Sequence, residues 1–280
     1  METAGLTDNK KVDQSGHLSD TRRAFDQVAG DYDGSLGNNL LIQRLRDQFI
    51  SELQSRFSED DHLLDIGCGT GLDAVLMANR GNMITAIDWS QKMIRKTRQR
   101  AWKKRVDEQV FCHNLGAHEM VQFPSNHFDG IYSNLGVVNC IMDMDEFARQ
   151  SQRILKKEGC LVMSVIGRWC PWEILYYMAK GHWKRALIRL KREPVAVNLE
   201  GEKVWTRYYS PGELKKYFTP YFNLLQLRSM NLFVPPPYLV SWYKNHPGCF
   251  ERLEKLDSTV GHWPVLRGMG DHFLMVLKMR

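Results

Sequence analysis

The chain has 280 residues, of which 25% are charged, and a formal net charge of +6. This length and composition are typical of a globular chain with one sizeable core and exclude a largely disordered protein. No stretch approaches the roughly 20 apolar residues that a membrane span needs, and the six cysteines form no Cys-x-x-Cys pair. We therefore expect a soluble, cytoplasmic protein with reduced thiols. Its basic residues are spread over several segments, which favours a solvated surface over a nucleic-acid interface.

The chain opens with a polar segment and two predicted helices. Residues 1–18 are polar, and we expect a disordered tail there. Ser19 and Asp20 can cap the first helix. Apolar residues then recur at three- and four-residue spacing between residues 37 and 58, which predicts an amphipathic second helix.

Five short apolar runs follow, each separated from the next by a segment long enough for a helix. They lie near residues 62, 83, 109, 128 and 160. This alternation predicts parallel strands joined by right-handed helical crossovers. Two more strand candidates, FNLLQLRSM and HFLMVLKMR, lie late in the chain. We therefore predict an α/β fold with a doubly wound, mostly parallel, seven-stranded Rossmann-like sheet, which binds its ligand at the carboxyl ends of the strands.

A glycine-rich turn joins the first predicted strand to the next helix. Glycines there permit a tight turn and let a ligand lie against backbone N–H groups at the helix start. Position 72 is Leu, so the spacing is not the dinucleotide-binding fingerprint. The turn reads Asp65-Ile66-Gly67-Cys68-Gly69-Thr70-Gly71.

A carboxylate ends the second predicted strand. Asp88 can accept hydrogen bonds from both hydroxyls of a ribose, and Trp89 offers an apolar wall for an adenine ring. The alternative is that Asp88 only favours the start of the following helix and that Trp89 packs in the core. The glycine turn upstream favours the cofactor interpretation.

In this order and spacing, these segments resemble the class I S-adenosylmethionine-dependent methyltransferases of type 11. LLDIGCGTGLDA is similar to their first cofactor motif, AIDWSQKMI to the second, FDGIYSN to the fourth-strand motif, and LKKEGCLVMSV to the turn and fifth strand that follow. AFDQVAGDYD resembles the capping helix of the branch that contains quinone-biosynthesis C-methyltransferases and malonyl-carrier-protein O-methyltransferases. The resemblance covers residues 21–167. It implies S-adenosyl-L-methionine as the methyl donor and S-adenosyl-L-homocysteine as the product.

The resemblance also implies which residues bind the cofactor. Asp65 matches the acidic residue that organises the amino-acid end, Asp88 the ribose-binding position, and Met93 a position beside the adenine. Asn114 lies a few residues earlier than the family's third-strand residue, but its amide can still bind an adenine edge. The full set of predicted cofactor-binding residues is Tyr32, Asp65, Gly67, Cys68, Gly69, Thr70, Gly71, Asp88, Trp89, Ser90, Met93, Asn114, Leu115, Ser133 and Asn134.

We predict one methyltransferase domain, residues 19–280, after the tail of residues 1–18. Its cofactor-binding core spans residues 19–167, a helical lid insertion spans 168–208, and C-terminal strands with a further insertion span 209–280. In the resembled family, insertions after the fifth strand cover the acceptor pocket. The predicted acceptor-binding aromatic residues of this mobile lid are Trp169, Trp172, Tyr176 and Tyr177, with ordinary helix packing as the alternative.

A basic stretch, KGHWKRALIRLKR, follows these aromatic residues. Its Trp and Leu side chains can share one side of a helix, which favours a solvated lid face over contact with a membrane surface or an acyl carrier. The loop that starts at Ser133 lacks the Asp/Asn-Pro-Pro-aromatic tetrad of methyltransferases that modify base amino groups. Its absence disfavours methylation of nucleobases.

Methyl transfer from a sulfonium depends mainly on positioning and on the exclusion of water. A base is needed only if the acceptor must lose a proton, and no pattern identifies one. The histidines are isolated and no carboxylate pair accompanies them, so we predict no metal site. The candidate bases are His118, His182, Tyr208, Tyr209 and His272.

We therefore predict an enzyme that methylates an O, N or C atom of a small or medium-sized acceptor, free or bound to a carrier protein. One alternative is an RNA methyltransferase, whose binding to nucleic acid would weaken steeply with salt. The other is a non-catalytic, cofactor-binding interaction subunit. The sequence does not predict the acceptor, the base or the oligomeric state.

Overall fold

The computed structural model describes residues 6–34 and 37–280. Its strands are β1 (His62–Ile66), β2 (Met83–Ile87), β3 (Val110–His113), β4 (Phe128–Ser133), β5 (Leu155–Ile166), β6 (Val195–Leu199), β7 (Glu202–Thr206), β8 (Phe222–Met230) and β9 (His272–Met279). Its α-helices are α1 (Leu6–Val28), α2 (Leu40–Arg56), α3 (Leu72–Ala78), α4 (Gln91–Lys104), α5 (Met144–Ile154), α6 (Pro171–Ala179), α7 (Trp183–Ala186), α8 (Pro211–Phe218), α9 (Val240–Asn245) and α10 (Pro247–Val260).

Seven strands form one sheet in the order β3-β2-β1-β4-β5-β9-β8. Strands β1 to β5 are parallel, and β9 is antiparallel to both β5 and β8. The predicted fold class is therefore confirmed. The chain moves outward from β1 to β3 and then returns to β4 on the other side of β1, which opens a crevice at the carboxyl ends of β1 and β4.

Apolar residues cover both faces of the sheet. Because side chains alternate along a strand, Leu63 and Leu64 enter two different clusters. One cluster contains Phe49 of α2, and the other contains Phe147 of α5 and Phe218 of α8. The helices therefore hold the strand ends in fixed positions, and the site lies on a packed scaffold.

Helix α1 extends further toward the N-terminus than the sequence predicts. It begins at Leu6, so residues 6–18 are helical where we expected a disordered tail, and residues 1–5 lie outside the described residues. The ring of His17 stacks on Trp205 with 3.7 Å between centroids, and the Trp205 indole donates to Asp20 at 3.1 Å. These tertiary contacts compensate for a polar sequence with little intrinsic drive to fold.

The insertion of residues 168–208 is only partly helical. After α6 and α7 it forms an antiparallel hairpin, β6–β7, that the sequence did not predict. Arg189, which is 7% exposed, donates to Glu173 at 2.7 Å and to Asp271 at 2.8 Å. Because a buried guanidinium must be paired, this network fixes the insertion to the start of β9.

Candidate functional site

A cavity of about 320 Å³ runs across the carboxyl ends of β1 to β5. Each strand or its following turn contributes a wall residue, in the order Leu115, Asp88, Gly67, Asn134 and Ile166 across the sheet. Helix α1 lies against the cavity as well. The cavity therefore occupies the crevice that this strand order creates.

The glycine turn forms the middle of the cavity floor. Gly67 and Gly69 have φ angles of +72° and +54°, which side chains rarely adopt. A Cβ atom on Gly67 would lie 2.4 Å from Cγ1 of Val137, so this glycine permits close packing of the β4 loop. A Cβ atom on Gly69 would meet no protein atom within 4 Å. The space above Gly69 is therefore open to a ligand.

Asp88 lies at the tip of β2, beside this turn. Its carboxylate accepts hydrogen bonds from the backbone N–H of Gly69 at 2.9 Å and of Ser90 at 2.8 Å. Burial raises its pKa to about 6, although these two hydrogen bonds favour the charged form. A carboxylate has about four acceptor sites, so Asp88 retains capacity for two hydroxyl donors.

Aromatic and apolar side chains form one end of the cavity. Trp89 lies here, and the ring of His118 meets it edge to face at 4.7 Å. The indole N–H of Trp89 is buried and has no hydrogen-bond partner among the described residues. Met93 and Leu115 complete this end, which suits a planar, partly polar ring.

A charged pair lies beyond the glycine turn. Arg46 of α2 donates to Asp73 of α3 at 2.6 Å, and the amide of Asn134 donates to the other carboxylate oxygen at 2.9 Å. All three residues line the cavity. Sequence reasoning missed Arg46 and Asp73, although an arginine next to the core residue Leu45 was a signal of a buried polar contact.

Some predicted cofactor residues support the site without lining the cavity. The amide of Asn114 donates to the carbonyls of Asp88 at 2.9 Å and of Trp89 at 3.0 Å, so it braces the tip of β2. The hydroxyl of Ser90 caps α4 and donates to Asp26 of α1 at 2.6 Å. The residues that line the cavity are Tyr32, Gly67, Cys68, Gly69, Thr70, Asp88, Trp89, Met93, Leu115 and Asn134, and those that do not are Asp65, Gly71, Ser90, Asn114 and Ser133.

Asp65 lies beneath the turn, and its side chain is buried. One of its carboxylate oxygens has no hydrogen-bond partner among the described residues. Burial, with a smaller contribution from the charge of Asp73, raises the pKa of Asp65 well above its usual value. Ser133 is buried at the same depth and donates to the carbonyl of Ile66 at 3.0 Å. Both residues support the floor of the cavity.

The aromatic residues predicted to bind the acceptor lie elsewhere. The indole of Trp172 donates to the carbonyl of Phe233 at 2.7 Å, and its ring packs on Trp242 at 5.1 Å. The rings of Tyr176 and Tyr177 pack near Tyr238, and Trp169 is 46% exposed. None of these four predicted residues lines the cavity. Packing against residues 233–242, which are distant in sequence, turns α6 away from the strand tips.

The hairpin closes the other end of the cavity instead. Val204 and Thr206 of β7 line it, together with Met142 and Phe147, which follow β4. The thiol of Cys140 also lines this end, and burial raises its pKa to about 12. Sequence reasoning missed all five residues. For Val204 and Thr206 the reason is that the path of the hairpin depends on contacts with α1.

Of the candidate bases, only His118 lines the cavity, and it lies beside Trp89. Burial raises the pKa of both Tyr208 and Tyr209 to about 12. His272 is buried against Asp271, with 3.0 Å between Nδ1 and Oδ2. The exposed His182 precedes α7. The cavity therefore receives no histidine or tyrosine from residues 168–280.

Neither a metal centre nor a membrane span is found among the described residues. They contain no cluster of three or more His, Cys, Asp or Glu side chains that could hold a metal ion. Within the same part of the chain, every helix is too short or too polar to cross a membrane.

Comparisons with known proteins match part of the chain, and the family model matches the β1 to β5 part. A family model described as a methyltransferase domain matches residues 64–163. Demethylmenaquinone methyltransferase of Leptospira interrogans is 25% identical over 57% of this chain and 67% of its own. Malonyl-[acyl-carrier protein] O-methyltransferase of a Methylovorus strain is 30% identical over 52% of this chain and 49% of its own. The match thus spans about half to two thirds of these relatives.

The fold comparison extends over more of the chain. The crystal structure of 1,6-didemethyltoxoflavin-N1-methyltransferase from Burkholderia thailandensis, with bound S-adenosylhomocysteine, superposes with a TM-score of 0.57 and 13% identity. It covers 95% of this chain and 89% of its own. The solved structure shows the fold alone. The family match shows a methyltransferase domain over residues 64–163, and together with the curated relatives it supports an enzyme that uses S-adenosylmethionine.

Proposed function

We propose that the cavity binds S-adenosylmethionine along the strand tips and that its apolar end admits a small, largely apolar methyl acceptor. The observation that carries this proposal is the position of Asp88 and the Gly69 N–H, 2.9 Å apart, between an aromatic end and a charged end. The adenine packs against Trp89, the ribose hydroxyls donate to Asp88, and the amino-acid group lies near Arg46 and Asn134. The side chains thus match the three chemical parts of the cofactor in order.

The acceptor end disfavours a polyanionic acceptor, because the carboxylate of Glu146 lines it beside apolar side chains. Its wall contains Ile141, Met142, Phe147, Ile166 and Val204, which are all apolar. Arg46 is the single Arg or Lys among the described residues that line the cavity, and it is already paired with Asp73. A phosphate-rich acceptor such as RNA would need more cations. The relatives that act on demethylmenaquinone and on a malonyl-carrier protein also favour a small acyl or ring acceptor.

The bound sulfonium supplies an electrophilic methyl group and leaves as a neutral thioether. The protein's part is therefore to align the acceptor and exclude water. Met142, Phe147 and Val204 exclude water at the acceptor end. Glu146 also lines this end, and hydrogen bonds, first from Gln150 and then from Arg149, lower its pKa, so it is ionised at neutral pH. His118 lies at the adenine end, and we do not assign it as a base.

The cofactor assignment can be tested by calorimetry with S-adenosylhomocysteine. We expect Asp88→Ala to weaken binding at least tenfold, because hydrogen bonds to a charged group contribute about 1.5–3 kcal/mol each. Asp143→Ala is a suitable control, since Asp143 also lines the cavity but its carboxylate caps α5 rather than accepting from the glycine turn. Equal affinity of the wild type and Asp88→Ala would contradict the proposed ribose contact.

The acceptor end can be tested once a substrate is found with labelled donor and a panel of hydroquinones, phenols, carboxylates and malonyl-carrier protein. We then expect Met142→Trp to raise the acceptor KM roughly tenfold or more and to leave cofactor affinity unchanged. Trp172→Ala serves as the comparison, because Trp172 does not line the cavity. A larger effect of Trp172→Ala on acceptor KM would instead place the acceptor at α6.

A further inference from the structure

A second surface, away from the cavity, exposes many large apolar side chains. We call it the tryptophan face. Trp183 of α7 is 59% exposed, Leu187 44%, and Leu175 of α6 66%. Trp242 of α9 is 43% exposed, and Trp263 is 51% exposed. The sequence favoured a solvated basic face here, but the structure also turns Trp183 and Leu187 toward solvent. Exposure of this kind marks an interaction surface.

The segments that carry this face are in contact with one another. Trp172 of α6 packs on Trp242 of α9, and Tyr177 of α6 stacks near Tyr238 at 6.2 Å. The backbone carbonyl of Trp169 accepts from Gly270 at 2.8 Å, which joins the start of α6 to the turn that contains Trp263. The segments that carry the exposed side chains therefore pack against one another, and α7 packs on α6 as well.

Cations lie among these apolar side chains. Residues 168–192, 236–246 and 261–270 contain a single acidic residue, Glu173, which is buried and paired with Arg189. The acidic residues that adjoin these segments include Glu193 and, on α10, Glu251, Glu254 and Asp257. The exposed cations of these segments have no ion pair with any carboxylate of the described residues. They include Lys180, Lys184, Arg185, Arg192, Lys244 and Arg267.

These cations lie close to aromatic rings, as they do in proteins that bind at the membrane–water interface. Lys180 lies over the ring of Tyr176 at 4.5 Å, and Arg185 lies over Tyr177 at 5.3 Å. Trp and Tyr favour the level of lipid headgroups, and Lys and Arg reach from there to acidic headgroups. A neutral protein partner would explain the Trp and Leu side chains but leave the cations without counter-charges. A nucleic acid would explain the cations but leave Leu175 and Leu187 in water.

We propose that the tryptophan face binds the surface of an anionic lipid bilayer. Attachment is peripheral: apolar side chains enter the headgroup region while the surrounding cations contact acidic lipids. The proposal does not depend on the methyl acceptor, because the face and the cavity share no residue used in either argument.

The test is co-sedimentation of the full chain with phosphatidylcholine vesicles that contain either no or about 30% phosphatidylglycerol. We expect partition onto the anionic vesicles that is at least tenfold stronger than onto neutral ones and that falls in high salt. Trp183→Ala/Leu187→Ala and Lys184→Ala/Arg185→Ala should each lower partition roughly tenfold. All four side chains are exposed, so both variants should melt near the wild-type temperature.

Matched controls lie on α4, which packs against β3 at the opposite edge of the sheet. Trp102 is 68% exposed and precedes two exposed lysines. Trp102→Ala and Lys103→Ala/Lys104→Ala should therefore leave partition unchanged. Equal losses in the two sets of variants would overturn the proposal. So would a wild type that ignores anionic vesicles but binds polyuridylate, or one that forms a dimer which Trp183→Ala/Leu187→Ala dissociates in light scattering.

Discussion

The tips of β1 and β2 and the insertion of residues 168–208 both border the cavity, but they reach it in different ways. At β1 and β2, a left-handed glycine turn and a carboxylate stand within a few residues of a buried strand, and backbone hydrogen bonds join them. In the insertion, the residues that meet the cavity are on β7, far along the chain from the aromatic residues of α6.

This difference separates two kinds of binding wall. The proposed cofactor wall is built from backbone geometry at the glycine turn, so its shape should change little if surface side chains change. The proposed acceptor wall combines residues that follow β4 with strand β7 of the hairpin, which contacts α1 and belongs to an insertion fixed by buried charges. Insertions of this kind can vary while the cofactor wall stays the same, which is how one fold serves many acceptors.

The largest effect should come from breaking the anchor of the insertion. Arg189→Met leaves Glu173 and Asp271 buried without their shared partner, and we expect a loss of about 3–5 kcal/mol in the free energy of unfolding. Chemical denaturation measures it. Arg149→Met, at the exposed pair of Arg149 with Glu146, should cost less than about 1 kcal/mol. Similar losses in both variants would mean that the insertion is not anchored by these charges.

The glycine turn offers a smaller but more selective change. Gly69→Ala places a methyl group in the open space of the cavity, and we expect S-adenosylhomocysteine affinity to fall at least tenfold. Gly181→Ala is its match, because Gly181 also has a positive φ, of +73°, and a Cβ atom there would meet no protein atom within 4 Å. Both should lose about 1–2 kcal/mol of stability from the left-handed backbone. A comparable loss of affinity in Gly181→Ala would contradict the role of Gly69.

The smallest effect should be the pH dependence of cofactor binding. The pKa of Asp88 is raised to about 6, and only the carboxylate accepts both ribose hydroxyls. Affinity should therefore fall as pH drops through 6 and be roughly tenfold lower at pH 5 than at pH 8. Calorimetry at both values measures this ratio, and Asp88→Asn should reduce it. A ratio unchanged by Asp88→Asn would assign the titration to another group.

Asp88 also affects the free energy of unfolding. Its contribution to stability falls as pH rises, whereas its contribution to cofactor affinity rises. Its pKa is about 6 in the folded protein and near 3.8 in the unfolded chain, so the folded state holds an extra proton between these values. The contribution of Asp88 to stability without cofactor is therefore fully present below pH 3.8 and is lost as pH rises through 6.

The sequence was sufficient for the sheet and for many of the residues that line the cavity. Alternating apolar runs predicted the parallel strands, and the turn at Gly67 and the carboxylate of Asp88 occur where strand, turn and helix follow one another in the chain. Such local geometry depends on residues that are neighbours in sequence. The lining role of Leu115 could be predicted for the same reason.

The sequence was insufficient where the position of a side chain depends on contacts with residues far away in the chain. The position of Trp172 after β5 predicted contact with the acceptor. Its indole N–H instead donates to the carbonyl of Phe233, 61 residues later in the chain. The apolar spacing of α2 predicts a helix but does not show that Arg46 is buried. Its partner, Asp73, is 27 residues away in the chain. The helical conformation of His17 was missed because its ring stacks on Trp205, which lies 188 residues later in the chain. Composition and periodicity do not record such pairings.

The place of β9 in the sheet has a consequence for how the chain folds. β9 is synthesised after every other strand of this sheet, yet it lies between β5 and β8 and is paired along both of its edges. Until residues 272–279 leave the ribosome, β5 keeps an open apolar edge and β8 has no neighbour in the sheet. A nascent chain therefore exposes the unpaired edge of β5 until β9 is made, and an unpaired apolar edge favours aggregation at that stage.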